Sequence, residues 1–276
     1  MAQSTQQGCN AVAHHVAHHV AHPRAGRLVS ITAVLVIGWV TSLTCVTRPA
    51  QAQSAGDGFL FQEPIGSLTL RGGYSRATAG GDLFSDITNR LTLGRSDFSG
   101  PTVGADLAIR VSPRLDFVLG SSYTSTSAAS EFRHLVDQNN AAITQTTSLK
   151  RVPVMASVLA YLTPRGRSIG RYAWVPARFV PYVGAGGGAV WYRFQQQGDF
   201  VDANTNAVFS DDLASSQWSP AAQAFAGIDY SVSPHVALTG EGKYLFARGT
   251  LNQRFSNFDS IDLSGLSATL GIKLRL

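Results

Sequence analysis

Over most of its length the chain alternates apolar and polar residues with a period of two, in runs too long for an ordinary soluble sheet. The last run shows the pattern best. Leu266, Ala268, Leu270, Ile272, Leu274 and Leu276 share one face, and Gly265, Ser267, Thr269, Gly271, Lys273 and Arg275 share the other, because successive strand side chains point to opposite sides. Val103, Ala105, Leu107, Ile109 and Val111 repeat the split, as do Val152, Val154, Ala156, Val158, Ala160 and Leu162. No amphipathic helix of useful length is expected beside these runs. The predicted strands cover 65–76, 102–112, 115–126, 149–162, 179–194, 218–232, 235–247 and 262–276. Strands of soluble domains have a mode of roughly five or six residues. Eight such long strands are hard to place in a small sandwich.

The connections between them alternate in length. Ser112-Pro113-Arg114 and Ser233-Pro234 read as tight turns, whereas 77–101, 127–148, 195–217 and 248–261 read as long polar loops. The segment 163–178, with Arg165, Arg167, Arg171 and Arg178, reads as a solvated basic loop or a small irregular element. Short turns at one rim and long loops at the other describe an all-β, eight-stranded antiparallel up-and-down transmembrane barrel.

Alternation alone leaves open which face meets lipid, because a soluble ligand-binding barrel has an apolar lumen and a polar exterior. Composition decides between them. Charged residues make up 14% of the chain, against roughly 25% in soluble domains, and the polar faces are mostly Gly, Ser, Ala and Thr. The few charges on those faces are Arg71, Asp106, Arg110, Asp116, Asp229, Glu241, Lys243, Lys273 and Arg275. They are expected to form a nearly neutral lumen network, since a lone charge away from water is costly. Tyr74, Tyr123, Trp191, Tyr192, Trp218, Tyr244 and Phe246 fall near the long-loop ends, and Tyr161, Trp174, Tyr182 and Tyr230 near the short-turn ends, as two aromatic girdles would.

Ahead of the barrel, Arg24 and Arg27 precede an uncharged apolar run, and Ala50-Gln51-Ala52 supplies a small-x-small cleavage pattern. Residues 1–52 are therefore expected to be a signal segment, 53–64 a short periplasmic lead-in and 65–276 the barrel. The alternative is a retained membrane helix over 28–46. The histidines at 14, 15, 18, 19 and 22 precede that run and would leave with it, as would both cysteines, Cys9 and Cys45. Three of the 22 basic residues and no acid lie in the segment, leaving 19 basic residues against 17 acidic ones. That balance implies no nucleic-acid partner.

The glycine run Val183-Gly184-Ala185-Gly186-Gly187-Gly188-Ala189 lacks a following Gly-Lys-Ser/Thr and a helix, so it is no phosphate loop. Together with Pro181-Tyr182, with 226–234 (Ala-Gly-Ile-Asp-Tyr-Ser-Val-Ser-Pro) leading into Val236-Ala237-Leu238, and with the last strand, it resembles the OmpA/OmpX-like family of small outer-membrane β-barrels. The resemblance covers about residues 59 to 276. It implies a location in the outer membrane of a Gram-negative bacterium and delivery by the barrel-assembly machinery; the peptidoglycan-tethering role of the longer relatives is not expected, because no binding domain for it is read after the barrel. Family members usually end in an aromatic residue read by that machinery; this sequence departs from the pattern with Leu276.

Catalytic signals are sparse. His134, near Ser130, Glu131, Arg133 and Asp137, and His235 form no recognisable constellation, and Asp211-Asp212 reads as a solvated pair. No cofactor or metal is implied. The expected role is a non-enzymatic surface barrel displaying four loops for envelope integrity or surface interaction. Its expected partners are outer-membrane lipid and lipopolysaccharide, held through Arg76, Arg90, Arg95, Arg133, Arg248 and Arg254 at the outer rim. A narrow channel for small solutes is the alternative, and a lipid-modifying enzyme a further one.

Overall fold

The computed structural model describes residues 58–136, 140–201, 208–252, 258 and 260–276, the side chain of His134 excepted. The expected signal segment lies outside them. In chain order the elements are β1 (Gly66–Ala77), α1 (Asp82–Arg90), a 3-10 turn (Arg95–Phe98), β2 (Gly100–Ser112), β3 (Leu115–Val136), β4 (Ala142–Tyr161), β5 (Gly166–Ile169), β6 (Ala173–Pro176), β7 (Phe179–Val201), β8 (Val208–Ser231), β9 (Val236–Gly249), β10 (Ile261–Asp262) and β11 (Gly265–Arg275).

Eight of these strands close into an antiparallel ring, β1-β2-β3-β4-β7-β8-β9-β11, with β11 pairing back onto β1. Register partners followed round the ring from Ser67 pass through Ala108, Val118, Ser157, Gly186, Gln223, Leu245 and Gly265. They return to β1 at Ala77, ten residues above the start. This stagger tilts the strands by roughly 35–45° and leaves an interior just wide enough for side chains to fill.

The faces are inside-out relative to a soluble barrel. Leu70, Val103, Ile109, Val154, Val158, Ile228, Leu238 and Leu270 are exposed on the outer wall, while Thr69, Asp106, Asp116, Arg151, Gln223, Asp229, Glu241 and Lys273 are buried within. An apolar outer band around a polar, closed ring is the architecture of a transmembrane β-barrel, because closure satisfies every strand's backbone groups without water.

The structure departs from the sequence expectations in three ways. First, 127–136, 142–148, 195–201 and 208–217 are strand, not loop: β3, β4, β7 and β8 run on beyond the membrane as tall hairpins. Their Ser, Thr and Gln residues face water on one side, so they show no oily stripe, yet the ladder continues through pairs such as Thr146↔Gln197 and Gln195↔Ala214. Second, the 77–101 connection holds α1, whose Leu83, Phe84 and Ile87 are buried. Third, 163–178 is an ordered hairpin of β5 and β6.

The aromatic girdles also change membership. Tyr74, Tyr123, Trp218 and Phe246 are exposed on the outer wall at the extracellular side. Tyr161, Trp174, Tyr182 and Tyr192 are buried. Tyr182 and Tyr192 share the inward parity of β7, opposite to Trp191, and Trp174 belongs to the β5–β6 hairpin. Proximity to a strand end was therefore a weaker guide than the two-residue period.

Close approach explains the glycines of β7. A methyl on Gly184 would lie 2.2 Å from the Phe225 ring, and one on Gly186 2.3 Å from the Ala156 carbonyl oxygen.

Leu270 is 76% exposed near the middle of the outer apolar band. Leu270→Arg should cost about 2–4 kcal/mol, read as a lower urea midpoint for the barrel folded in phosphatidylcholine vesicles. An unchanged midpoint would mean that Leu270 does not face hydrocarbon.

Candidate functional site: a closed lumen and a basic outer rim

The expected lumen charges sort into two clusters. In the central cluster, the Arg71 guanidinium pairs with the Asp106 carboxylate and, 2.6 Å away, with Glu241 Oε2. Tyr182 donates its hydroxyl to Glu241 at 3.0 Å, and Lys243 Nζ lies 3.4 Å from Glu241 Oε1. Four predicted residues thus meet on β1, β2 and β9, because β1's inward face stands beside β2's in register and is separated from β9's by β11 alone.

The second cluster sits towards the short-turn end. Lys273 Nζ lies 2.5 Å from Asp229 and 5.1 Å from the Tyr182 ring centre. Asp116 accepts from Tyr161 Oη at 2.9 Å and from Arg165 Nη1 at 2.9 Å. Arg110 pairs with Glu63 at 2.7 Å, and Arg275 donates to the carbonyls of Ser233 and Pro234 at 3.2 and 3.1 Å.

Three network members were not expected. Arg165 belongs to the segment taken as a basic loop, and Glu63 to the lead-in; neither lies on a barrel strand, so alternation could not place them. Arg151 is different. The period that sends Val152 outward sends Arg151 inward, where its guanidinium donates to the Leu263 carbonyl at 3.1 Å and to Ser75 Oγ at 3.3 Å.

Both mouths of the barrel are covered. At the short-turn end, Leu60 and Trp174 exchange backbone hydrogen bonds of 2.8 Å each way, which brings the lead-in onto the β5–β6 hairpin. Trp174 is buried there, 6.0 Å from the Arg275 guanidinium carbon. A void of about 30 Å³ beside Asp116, Arg165 and Asp229 has room for about one water.

At the other end α1 acts as a stopper. Phe84 meets Phe98 edge-on at 4.7 Å and Phe194 at 6.3 Å between ring centres. Around them Leu83, Ile87, Leu149, Val190, Tyr192, Ile261 and Leu263 form one buried cluster. Each large apolar side chain so buried contributes about 1.5–3 kcal/mol. Gly81 begins the helix at φ 86°, a left-handed conformation that a side chain would strain. Beside α1, a cavity of about 430 Å³ is walled by Leu83, Ile87, Leu91, Phe132, Phe200 and Phe258.

The expected rim arginines do not act as one set. Arg76, Arg95 and Arg248 are exposed. Arg90 pairs with Asp86 at 2.8 Å along α1. Arg133 folds back to donate to the Leu91 carbonyl at 2.7 Å and the Thr88 carbonyl at 3.3 Å, serving carbonyls that a helix end leaves without partners. Arg254 lies outside the described residues. Asp212 accepts from Gln195 Nε2 at 2.8 Å. His235 sits at the short-turn rim, where its carbonyl accepts from the Arg275 backbone.

Fold and faces together define a small outer-membrane β-barrel. No protein-family model matches the chain, and no curated protein matches it by sequence. Comparison with solved structures finds barrels of this class. Neisserial surface protein A is 14% identical, with 80% of this chain and 98% of that one covered at a TM-score of 0.44. The outer membrane protein OprG of Pseudomonas aeruginosa is 13% identical, with 79% and 99% covered at 0.44. The attachment invasion locus protein Ail of Yersinia pestis is 12% identical, with 78% and 100% covered at 0.38.

Arg71 neutralises two buried carboxylates at once. Arg71→Met should lower stability by about 3–5 kcal/mol, measured by urea unfolding in detergent micelles. Adding Asp106→Asn and Glu241→Gln should recover part of the loss, because the two carboxylates that Arg71 neutralises are then uncharged, and the half-buried Lys243, which loses its Glu241 partner, keeps the recovery partial. A fully additive triple variant would show that the three side chains do not act together.

Proposed function

We propose that this protein is a non-conducting, non-catalytic surface barrel that anchors in outer-membrane lipid and presents its extracellular hairpins to other molecules. The observation that carries this reading is the filled lumen. The Arg71 cluster, the Lys273 and Arg165 cluster and the α1 stopper lie one above another along the bore. Ions would have to break paired charges and displace Phe84 to pass.

The extended β3–β4 and β7–β8 hairpins supply the display surface. A membrane span needs strands of about 9–11 residues, and these run to 22, 20, 23 and 24 residues. The excess stands as a four-stranded sheet above the outer leaflet, with the cavity beside α1 as an apolar recess for a partner's side chain. Lipopolysaccharide is the proposed lipid partner, met by Arg76, Arg95 and Arg248.

Planar-bilayer recording tests the closed bore. The wild type should give no reproducible unitary steps. Replacing residues 80–98 by a short Gly-Ser linker, together with Arg71→Ser and Glu241→Ser, should open them. Regular steps from the wild type would favour a channel instead.

Retention of lipopolysaccharide on the purified barrel should fall in an Arg76→Gln, Arg95→Gln, Arg248→Gln variant. Equal retention would remove these residues as contacts.

A further inference from the structure

On the outer wall, Tyr74, Trp191 and Phe246 are each followed, one outward-facing position further from the membrane, by a cation: Arg76, Arg193 and Arg248. On β4, Lys150 stands in the same relation to Val152. Two of these cations are immediate neighbours. Lys150 and Arg193 are direct cross-strand partners on β4 and β7, and both are exposed.

Like charges facing each other across a ladder are destabilising, so this pairing calls for a compensating anion. Among the described residues neither side chain has an ion pair or a side-chain hydrogen bond. Their outer flanks are the uncharged Ser125 and Ser216. The outward-facing acids on this sheet, Glu131, Asp199 and Asp212, lie six residues above Ser125, six above Arg193 and four above Ser216 along their strands. Directly below sits the register pair Trp191 and Trp218, an aromatic couple suited to the depth where hydrocarbon gives way to headgroups.

We propose that Lys150 and Arg193 form a binding site for a phosphate group of a phosphorylated lipid in the outer leaflet. Cβ atoms of directly opposed residues are about 4.5–5.5 Å apart, so an ammonium and a planar guanidinium fork converge on one anion. A phosphomonoester, with a charge of about −1.5 to −2 near neutral pH, matches the pair's two positive charges. The fork offers two N–H donors to its oxygens, and the ammonium adds a point charge. The indoles of Trp191 and Trp218 then lie against the sugar and acyl boundary of the same lipid. This site deepens the surface-barrel reading: it rests on the barrel's place in the outer membrane and is independent of what the hairpins contact.

The test uses the barrel folded in phosphatidylcholine vesicles, with diphosphorylated lipid A or its dephosphorylated form added. Binding is followed by tryptophan fluorescence, and stability by urea unfolding. Wild type should bind the diphosphorylated lipid, and Lys150→Gln/Arg193→Gln should bind it at least about tenfold more weakly. Arg167→Gln/Arg171→Gln, on the exposed β5–β6 hairpin, should bind as wild type does.

A second variant reads the like-charge pair itself. Lys150→Glu should unfold at higher urea than wild type in phosphatidylcholine alone and at lower urea than wild type once the phosphorylated lipid is present. Equal affinity for both lipid A forms, full binding by the double variant, or no reversal for Lys150→Glu would overturn the proposal. Displacement of the lipid by millimolar inorganic phosphate would identify a free-phosphate site and overturn the lipid assignment. A barrel that inserts and resists unfolding without phosphate-dependent binding would refute this site alone; failure to insert would refute the surface-barrel reading too.

Discussion

The seam between β1 and β11 governs the rest of the molecule. Ladder pairs from Ser67↔Arg275 to Ala77↔Gly265 turn a sheet with two raw edges into a ring with none. In hydrocarbon an unpaired backbone N–H or carbonyl costs several kcal/mol, so an open sheet could not stay there. Once the ring closes with its ten-residue stagger, the bore is narrow and one face of every strand is committed to it. An outward stripe of aliphatic residues and an inward stripe of small and charged ones then follow as two sides of a single constraint.

Closure also sets the terms for the charges inside. An arginine or a carboxylate in so narrow a bore cannot keep a full hydration shell, so it must find protein partners. Arg71 spans Asp106 and Glu241, Lys273 meets Asp229, and Asp116 is held by Tyr161 and Arg165. Contacts through the lumen between strands that are not ring neighbours tie the wall together from inside. Tyr182 on β7 reaching Glu241 on β9, and Arg151 on β4 reaching the Leu263 carbonyl and Ser75 on β1, are two such ties.

How far the sequence could be read depended on whether a residue faced two different media. Leu266 to Leu276 has hydrocarbon on one side and the lumen on the other, so its alternation was strong and its register legible. Gln195 and Gln197 face water, and Gln196 on the inner face is itself polar although it lies beside the apolar cavity next to α1, so the same backbone conformation left no stripe and the strand looked like loop. Leu83, Phe84 and Ile87 did carry a helical spacing, with Asp82 in the first turn and Arg90 in the last. In nine residues that signal is easily lost among longer strand runs. Arg133 illustrates a different limit: its charge marked it as a surface contact, while the chain's path brings the carbonyls of Thr88 and Leu91 to it.

By itself the sequence determined the class, the strand count and the side of the wall that is oily, because a two-residue period and a shortage of charge leave a membrane barrel as their consistent solution. Tertiary structure alone decided which charges are partners, that α1 and the β5–β6 hairpin cover the two mouths, and that Lys150 stands opposite Arg193. Those outcomes depend on stagger and on long-range register, which fix distances between residues that local patterning never compares.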